Sequence, residues 1–232
     1  MHDPVILSEA KNLNNTFIMK LVFATNNIHK VREASEILGK GFEIVTPAQL
    51  GITEDLPETG NTFRANSQQK ADYIYKRTGL DCFADDSGLE VDILGGAPGV
   101  ETARYAGPQK DSSANIAKLL EEMARREMEA SFAREFGVET PRATRKARFR
   151  TCVTLIVGGE RRFFDGAMEG KIGRELYGNG GFGYDPVFIP EGRDVTAAQL
   201  PEEEKNAISH RGNALRAMAE YLKGGDSSLR SE

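Results

Sequence analysis

Short apolar runs alternate with amphipathic stretches along the chain. Residues 21–24 (Leu-Val-Phe-Ala) predict a first strand. After a polar loop, Val31, Ala34, Ile37 and Leu38 share one face at helical spacing, and Gly39 fits the position just past a helix end. Residues 42–45 read as a second strand. An acidic loop, 47–60, leads to Asn61 or Thr62 as the cap of a helix running to about Thr78, which Gly79 ends. On that helix Phe63, Ser67, Lys70, Ala71 and Ile74 fall on one side at spacings of three and four. Residues 82–89 (Cys-Phe-Ala-Asp-Asp-Ser-Gly-Leu) begin as an apolar run and end in two carboxylates, a hydroxyl and a glycine. Residues 89–94 alternate, and 95–100 form a tight, glycine-rich loop.

In the second half, Asp111 can cap a helix whose Ile116, Leu119, Leu120 and Met123 face a core. From 124 to 146 the chain is rich in Arg and Glu and broken at Gly137 and Pro141, which predicts an exposed helical extension and a linker. Residues 148–157 read as a strand, Gly158-Gly159-Glu160 as a hairpin turn and 161–164 as the return strand. Residues 166–174 continue as a further strand or an irregular arm. A nine-residue loop, 178–186, holds four glycines and two aromatics, and 186–189 re-enters the sheet. Ser209 is a natural cap for a last helix with Leu215, Met218, Ala219 and Leu222 on its apolar side and Gly224 at its end. Residues 1–18 are polar and aperiodic and read as an extension, with Met19 as the natural start; 225–232 read as a tail. One domain over 19–224 is the expectation.

Composition narrows the classes. Apolar content of 39% with 28% charged residues is that of a globular protein, and a net charge of -5 argues against a broad nucleic-acid footprint. A local basic pocket for a small phosphorylated ligand stays compatible with it. No apolar stretch approaches the ~20 residues that cross a membrane, and no basic stretch with a long apolar run opens the chain, so a cytoplasmic protein is expected. The two cysteines, Cys82 and Cys152, lie in strand-like apolar runs and read as buried free thiols. There is no repeat, no zinc spacing, no P-loop glycine spacing and no G-x-S-x-G.

Several stretches carry candidate chemistry, each with a plainer alternative. Asp85 and Asp86, side by side at a strand end, are costly unless compensated, and a hard cation such as Mg²⁺ relieves that. The alternative is an Asp-Ser-Gly turn satisfied locally. The loop Thr25, Asn26, Asn27, Ile28, His29, Lys30 joins a strand to a helix N-terminus, a place where anions bind, or is an Asn-rich turn with a solvated lysine. Lys70 shares the inward stripe of its helix and either snorkels outward or reaches a negative ligand. The 178–186 loop allows close backbone approach to a flat ligand with an aromatic to stack on it, or simply buries its rings. His210 and Arg211 stand in the first turn of a helix, where basic groups are unfavourable unless an anion is bound.

Taken in order, Thr-Asn-Asn-x-x-Lys, Asp-Asp-Ser-Gly, Gly-Gly-x-Pro-Gly with Ala-Arg-Tyr, Gly-Gly-Phe-Gly-Tyr-Asp-Pro and Glu-Glu-Lys-x-x-Ile-Ser-His-Arg resemble the inosine/xanthosine triphosphate pyrophosphatase family over nearly all of 19–222. The resemblance implies an α/β fold: an elongated, twisted mixed sheet flanked by helices, in two lobes with the nucleotide in a cleft. It implies a homodimer, Mg²⁺ dependence, and hydrolysis of ITP, dITP or XTP to the monophosphate and pyrophosphate. Carried onto this chain, residues 25–30 bind the triphosphate, Asp86 is proton acceptor and metal ligand, Ser87 contacts the nucleotide and Lys70 faces phosphate. Phe182, Gly183, Tyr184 and Asp185 match the base-binding loop, and Lys205, His210 and Arg211 the remaining contacts. Relatives often carry an acid just before the Thr-Gly of the 47–60 loop and another one position earlier. Here the earlier position is Pro57, leaving Glu58 as the second candidate metal ligand. The 124–146 region is longer than the family pattern. A non-catalytic nucleotide sensor is the competing class.

Overall fold

A computed structural model describes residues 18–138 and 144–225. All but Ile18 of the expected extension, all but Gly225 of the tail, and 139–143 within the long 124–146 region lie outside the described residues. Among the described residues six strands form one mixed sheet: β1 (Met19–Phe23), β2 (Phe42–Val45), β3 (Cys82–Val91), β4 (Lys146–Val157), β5 (Glu160–Ile172) and β6 (Phe188–Pro190), in the order β2-β1-β3-β4-β5-β6. β1 runs parallel to β2 and β3, and the remaining pairings are antiparallel. Among the described residues five α-helices accompany it: α1 (Ile28–Leu38), α2 (Phe63–Thr78), α3 (Ser112–Glu135), α4 (Glu202–Ile208) and α5 (His210–Gly225). This is the mixed, helix-flanked α/β sheet that the resemblance implies.

Local signals place most ends. Asn27 caps α1, Thr62 caps α2 by accepting from the Ala65 N–H, and Asp111 caps α3 by accepting from the Ala114 N–H. Gly79 closes α2 in the left-handed conformation. The two-residue turn between β4 and β5 needs positive φ at both positions, and Gly158 (56°) and Gly159 (82°) supply it. Beyond that turn β5 runs unbroken to Ile172, so 166–172 continue the return strand instead of forming a further strand or an irregular arm, and 173–174 lie past its end. α3 continues eleven residues past Ala124, and Met128, Phe132 and Phe136 beyond it are exposed.

The expected strand end at Asp85 and Asp86 is not there. β3 passes straight through both and continues to Val91, because β4 pairs with it along all ten residues. What ends is its parallel neighbour: β1 matches β3 only at Val22↔Cys82 and Phe23↔Phe83. The carboxylates therefore stand just past the carboxyl end of the parallel half of the sheet, the usual place for a ligand. Residues 89–91, expected to alternate as a separate element, belong to this same strand, and 92–94 turn as a short 3₁₀ segment.

Side chains 82, 84 and 86 point to one face of β3 and 83, 85 and 87 to the other. On the first face Cys82 and Ala84 pack with Ala71 and Ile74 of α2; on the second Phe83 packs with Ala34 of α1 and Leu215 and Met218 of α5. A third core, around Leu89, Leu119, Phe149 and Phe188, sits under α3 toward the far end of the sheet. α5 lies so close on β5 that a Cβ at Gly166 would stand 2.0 Å from the His210 carbonyl oxygen. Both cysteines are buried and free, with thiols pushed up to about 12 (Cys82) and about 11 (Cys152) by burial. Among the described residues no helix is long and apolar enough to cross a membrane.

Candidate active site

Adjacent in sequence, Asp85 and Asp86 do not share an environment. The pleat sends them to opposite faces, so the expectation of two mutually repelling carboxylates sharing one cation is corrected. Asp85 is fully buried between Lys30 Nζ (2.9 Å to Oδ1) and Arg211 Nε (2.8 Å to Oδ2). Burial pushes its pKa up, but Lys30 and Arg211 outweigh that and hold it well below the ordinary carboxylate range. Both of its oxygens are engaged by these cations, so Asp85 serves as their charge partner. Ser87, on the same face, donates to Asp85 Oδ2 (3.0 Å) and accepts from Arg211 (3.1 Å).

Asp86 faces α2. Asn66 Nδ2 lies 3.1 Å from its Oδ2, and Lys70 Nζ lies 3.4 Å from its Oδ1. Lys70 reaches Glu58 Oε1 at 2.5 Å as well. The side chain of Lys70 is buried and turned inward, which settles its two readings against snorkelling. Burial raises the pKa of Asp86, and Lys70, Lys30 and the Asn66 hydrogen bond only partly offset it. For Glu58 the balance falls the other way: burial raises its pKa, but Lys70 overcomes this and the net shift is downward. For Lys70 burial favours the neutral amine, and Asp86, Asp85 and Glu58 outweigh it to keep the ammonium.

In the first loop Asn27 Oδ1 accepts from the N–H groups of His29 (2.9 Å) and Lys30 (3.4 Å), and Thr25 Oγ1 from that of Asn27 (3.2 Å). The α1 N-terminus thus carries its own cap on amides expected to be open to an anion. What it offers an anion is its dipole and Lys30. Ile28 is 69% exposed and, of the residues expected to bind substrate, is the one off the cleft wall.

In the glycine-rich loop Asp185 Oδ2 accepts from the Phe182 N–H (2.8 Å) and from Lys205 Nζ (2.7 Å), which shapes the 182–185 turn. Tyr184 is core, its hydroxyl donating to the Thr102 carbonyl (3.0 Å). Phe182 is half-buried, with Lys205 Nζ 4.9 Å from its ring centre and the His29 ring stacked on it at 5.9 Å and 20°. A base stacking on that face would displace His29. His210 stacks on Phe149 at 5.0 Å; burial, and then Arg211, hold its pKa well below the ordinary value, and its Nδ1 has no partner among the described residues. Arg211 is buried and already bound to Glu33 and Asp85, so the conflict of a basic residue in a first helical turn is resolved from inside the protein.

These parts line one cleft of 660 Å³. It gathers Thr25, Asn26, Asn27, His29, Lys30, Glu58, Lys70, Asp86 and Ser87 with Phe182, Gly183, Tyr184, Asp185, Lys205, His210 and Arg211. Sequence reasoning missed Glu33, Asn66 and Phe149. Glu33 looked like one more solvated charge on α1, and its partner Arg211 is 178 positions away. Asn66 had one local signal: it lies four residues, one turn, before Lys70 on the inward stripe.

A mixed sheet whose cleft gathers a buried carboxylate–ammonium centre and the half-buried ring of Phe182 defines an α/β protein with a highly charged, partly aromatic pocket. The comparisons agree with that class. The model of the Ham1 family matches residues 21–221, and the chain belongs to that family. A dITP/XTP pyrophosphatase of Porphyromonas gingivalis is 47% identical, covering 88% of this chain and 97% of that protein. The dITP/XTP pyrophosphatase of Bacillus subtilis is 43% identical over 89% of this chain and 98% of its own. Among solved structures, a HAM1 protein from Coxiella burnetii superposes with a TM-score of 0.77 at 35% identity, covering 89% of this chain and 99% of that one. A nucleoside-triphosphatase / dITP/XTP pyrophosphatase from Mycobacterium abscessus gives 0.66 at 41% identity, over 86% and 98%.

Proposed function

We propose that the cleft hydrolyses deaminated purine nucleoside triphosphates (ITP, dITP and XTP) to the monophosphate and pyrophosphate. Asp86 carries the reading: a buried carboxylate of raised pKa, fixed between Asn66 and Lys70 in a cleft that also presents Phe182. Asp86 takes a proton from the water that attacks the α-phosphorus. Lys30 and Lys70 stabilise the negative charge gathering on the leaving pyrophosphate. Phe182 stacks on the base. The purine 6-oxygen accepts hydrogen bonds from the base end, where His210 and Arg211 stand; adenine presents a donor there, and a buried mismatch of that kind discriminates by ~10⁴ or more.

The residues present fit a divalent metal. Six Lys and Arg side chains on the cleft wall face five Asp and Glu, so the cleft has almost no net charge to offer a triphosphate. Glu58 and Asp86 bring hard carboxylate oxygens to one point around Lys70. These two would hold Mg²⁺, which when bound supplies Lewis-acid polarisation of the phosphate. A homodimer belongs to the same reading, and sedimentation at micromolar protein tests it; a monomer there removes it.

The deciding assay is pyrophosphate release from ITP, dITP, XTP, GTP and ATP with and without Mg²⁺. Release from the first three and little from ATP is expected. Tight binding without turnover would favour the sensor instead. Asp86→Asn is expected to abolish release with an unchanged melting profile, and near-normal turnover would take Asp86 out of the mechanism.

A further inference from the structure

Helix α2 holds the loop before it at three successive residues. The Glu58 carboxylate meets Lys70, the Thr59 N–H donates to Gln69 Oε1 (2.9 Å), and the Gly60 N–H donates to Asn66 Oδ1 (2.7 Å). The fit is close, since a Cβ at Gly60 would stand 2.6 Å from the Ala65 Cβ and 2.9 Å from Asn66 Oδ1. Asn66 is 2% exposed, and its amide is used at both ends. The oxygen takes the loop amide, and the nitrogen points to Asp86 Oδ2 at 3.1 Å. The orientation is fixed by chemistry, because a flipped amide would set oxygen against carboxylate and nitrogen against an N–H. One turn further on, Lys70 takes the other oxygen of Asp86. Two side chains of one helix thus grip both oxygens of one carboxylate.

We propose that Asn66 is a positioning residue: it aims the carboxylate of Asp86 and fixes the distance between β3 and the loop that carries Glu58. The proposal rests on the reading of Asp86 as the base. A carboxylate on a strand has a free terminal torsion. Lys70, a point charge on a flexible stem, restrains that torsion weakly, whereas the planar amide of Asn66 is locked by Gly60 and restrains it in one direction. Misplacing a reacting group by about 1 Å costs on the order of 100-fold in rate.

The test compares Asn66→Ala with Asn66→Asp. The first removes both hydrogen bonds. The second keeps the size and the acceptor for Gly60, but sets a carboxylate against Asp86 in place of a donor. Turnover of dITP is expected to fall about 10- to 100-fold in both, and at least as far in Asn66→Asp. KM, and the calorimetric affinity for an ITP analogue with a non-hydrolysable α,β-bridge, should stay within about threefold. A packing role predicts the reverse order, with the isosteric Asn66→Asp milder than Asn66→Ala. That order, normal kcat in Asn66→Asp, or a change confined to KM and analogue affinity would each overturn the proposal. If Asn66→Ala fails to fold, Asn66→Asp alone still decides by its kcat. Asp86→Asn is measured alongside. If it turns over normally, the reading of Asp86 falls and the positioning role with it. If it is inactive while Asn66→Asp is normal, only the positioning role falls.

Discussion

Asp85 and Asp86 differ by one position and by almost everything that matters chemically. The first is locked ionised by Lys30 and Arg211; the second is buried with a raised pKa and gripped by a helix. The sequence announces that this pair is unusual, but which face each carboxylate takes follows from a strand length that only β4 supplies. Phe182 allows a direct test. Phe182→Ala should weaken nucleotide binding by ~1–3 kcal/mol, the scale of a base stacked on an aromatic ring. Calorimetry with the non-hydrolysable analogue measures it, and an unchanged affinity would make the ring merely part of the wall. His210 gives a pH signature. Burial and Arg211 keep it neutral in the folded protein, whereas the unfolded chain protonates it near the ordinary value of about 6.5. Below that pH the unfolded state holds the extra proton, so stability is lost as pH falls, by up to about 1.4 kcal/mol per pH unit. Denaturant unfolding between pH 7.5 and 5.5 should show this slope, flattened in His210→Gln.

At the scale of elements, the caps and hairpin were legible because their signals are local. Thr62, Asp111 and Gly79 act within one turn of the helix they bound, and Gly158-Gly159 within their own turn. Thr62→Ala should cost about 1 kcal/mol in denaturant unfolding. What was not legible is how elements press on one another. Nothing near Gly166 in sequence reveals that α5 starts on top of it, since the contact joins residues over forty positions apart. Gly166→Ala should push the first turn of α5 off β5 and shift His210 and Arg211. A loss of about 1–3 kcal/mol, typical of overpacking, is expected, together with weaker nucleotide binding. A variant as stable as the parent would mean that the helix shifts without cost. Likewise the helical extension expected in the 124–146 region is present as far as Glu135, yet no pattern there says what the exposed Phe132 and Phe136 are for.

Over the whole molecule, the residues expected to bind substrate or metal are scattered from Thr25 to Arg211, and the fold brings all but Ile28 to one cleft. The wall is close to electrically neutral, so a triphosphate should bind poorly without a divalent ion. Chelation is expected to weaken binding of the ITP analogue by on the order of tenfold, about 1.4 kcal/mol, which titration with and without EDTA measures. The same pairing has a consequence for the end of the catalytic cycle. Lys30 and Lys70, the two lysines assigned to the phosphates, each keep a carboxylate of the protein within reach. An arriving polyphosphate trades places with those carboxylates, and when it departs they reclaim their cations, so no buried charge is stranded. Such a site does not cling to its product. Pyrophosphate should therefore inhibit feebly, with an inhibition constant above the KM for dITP. Progress curves run with added pyrophosphate would reveal the opposite at once, through early slowing of the reaction.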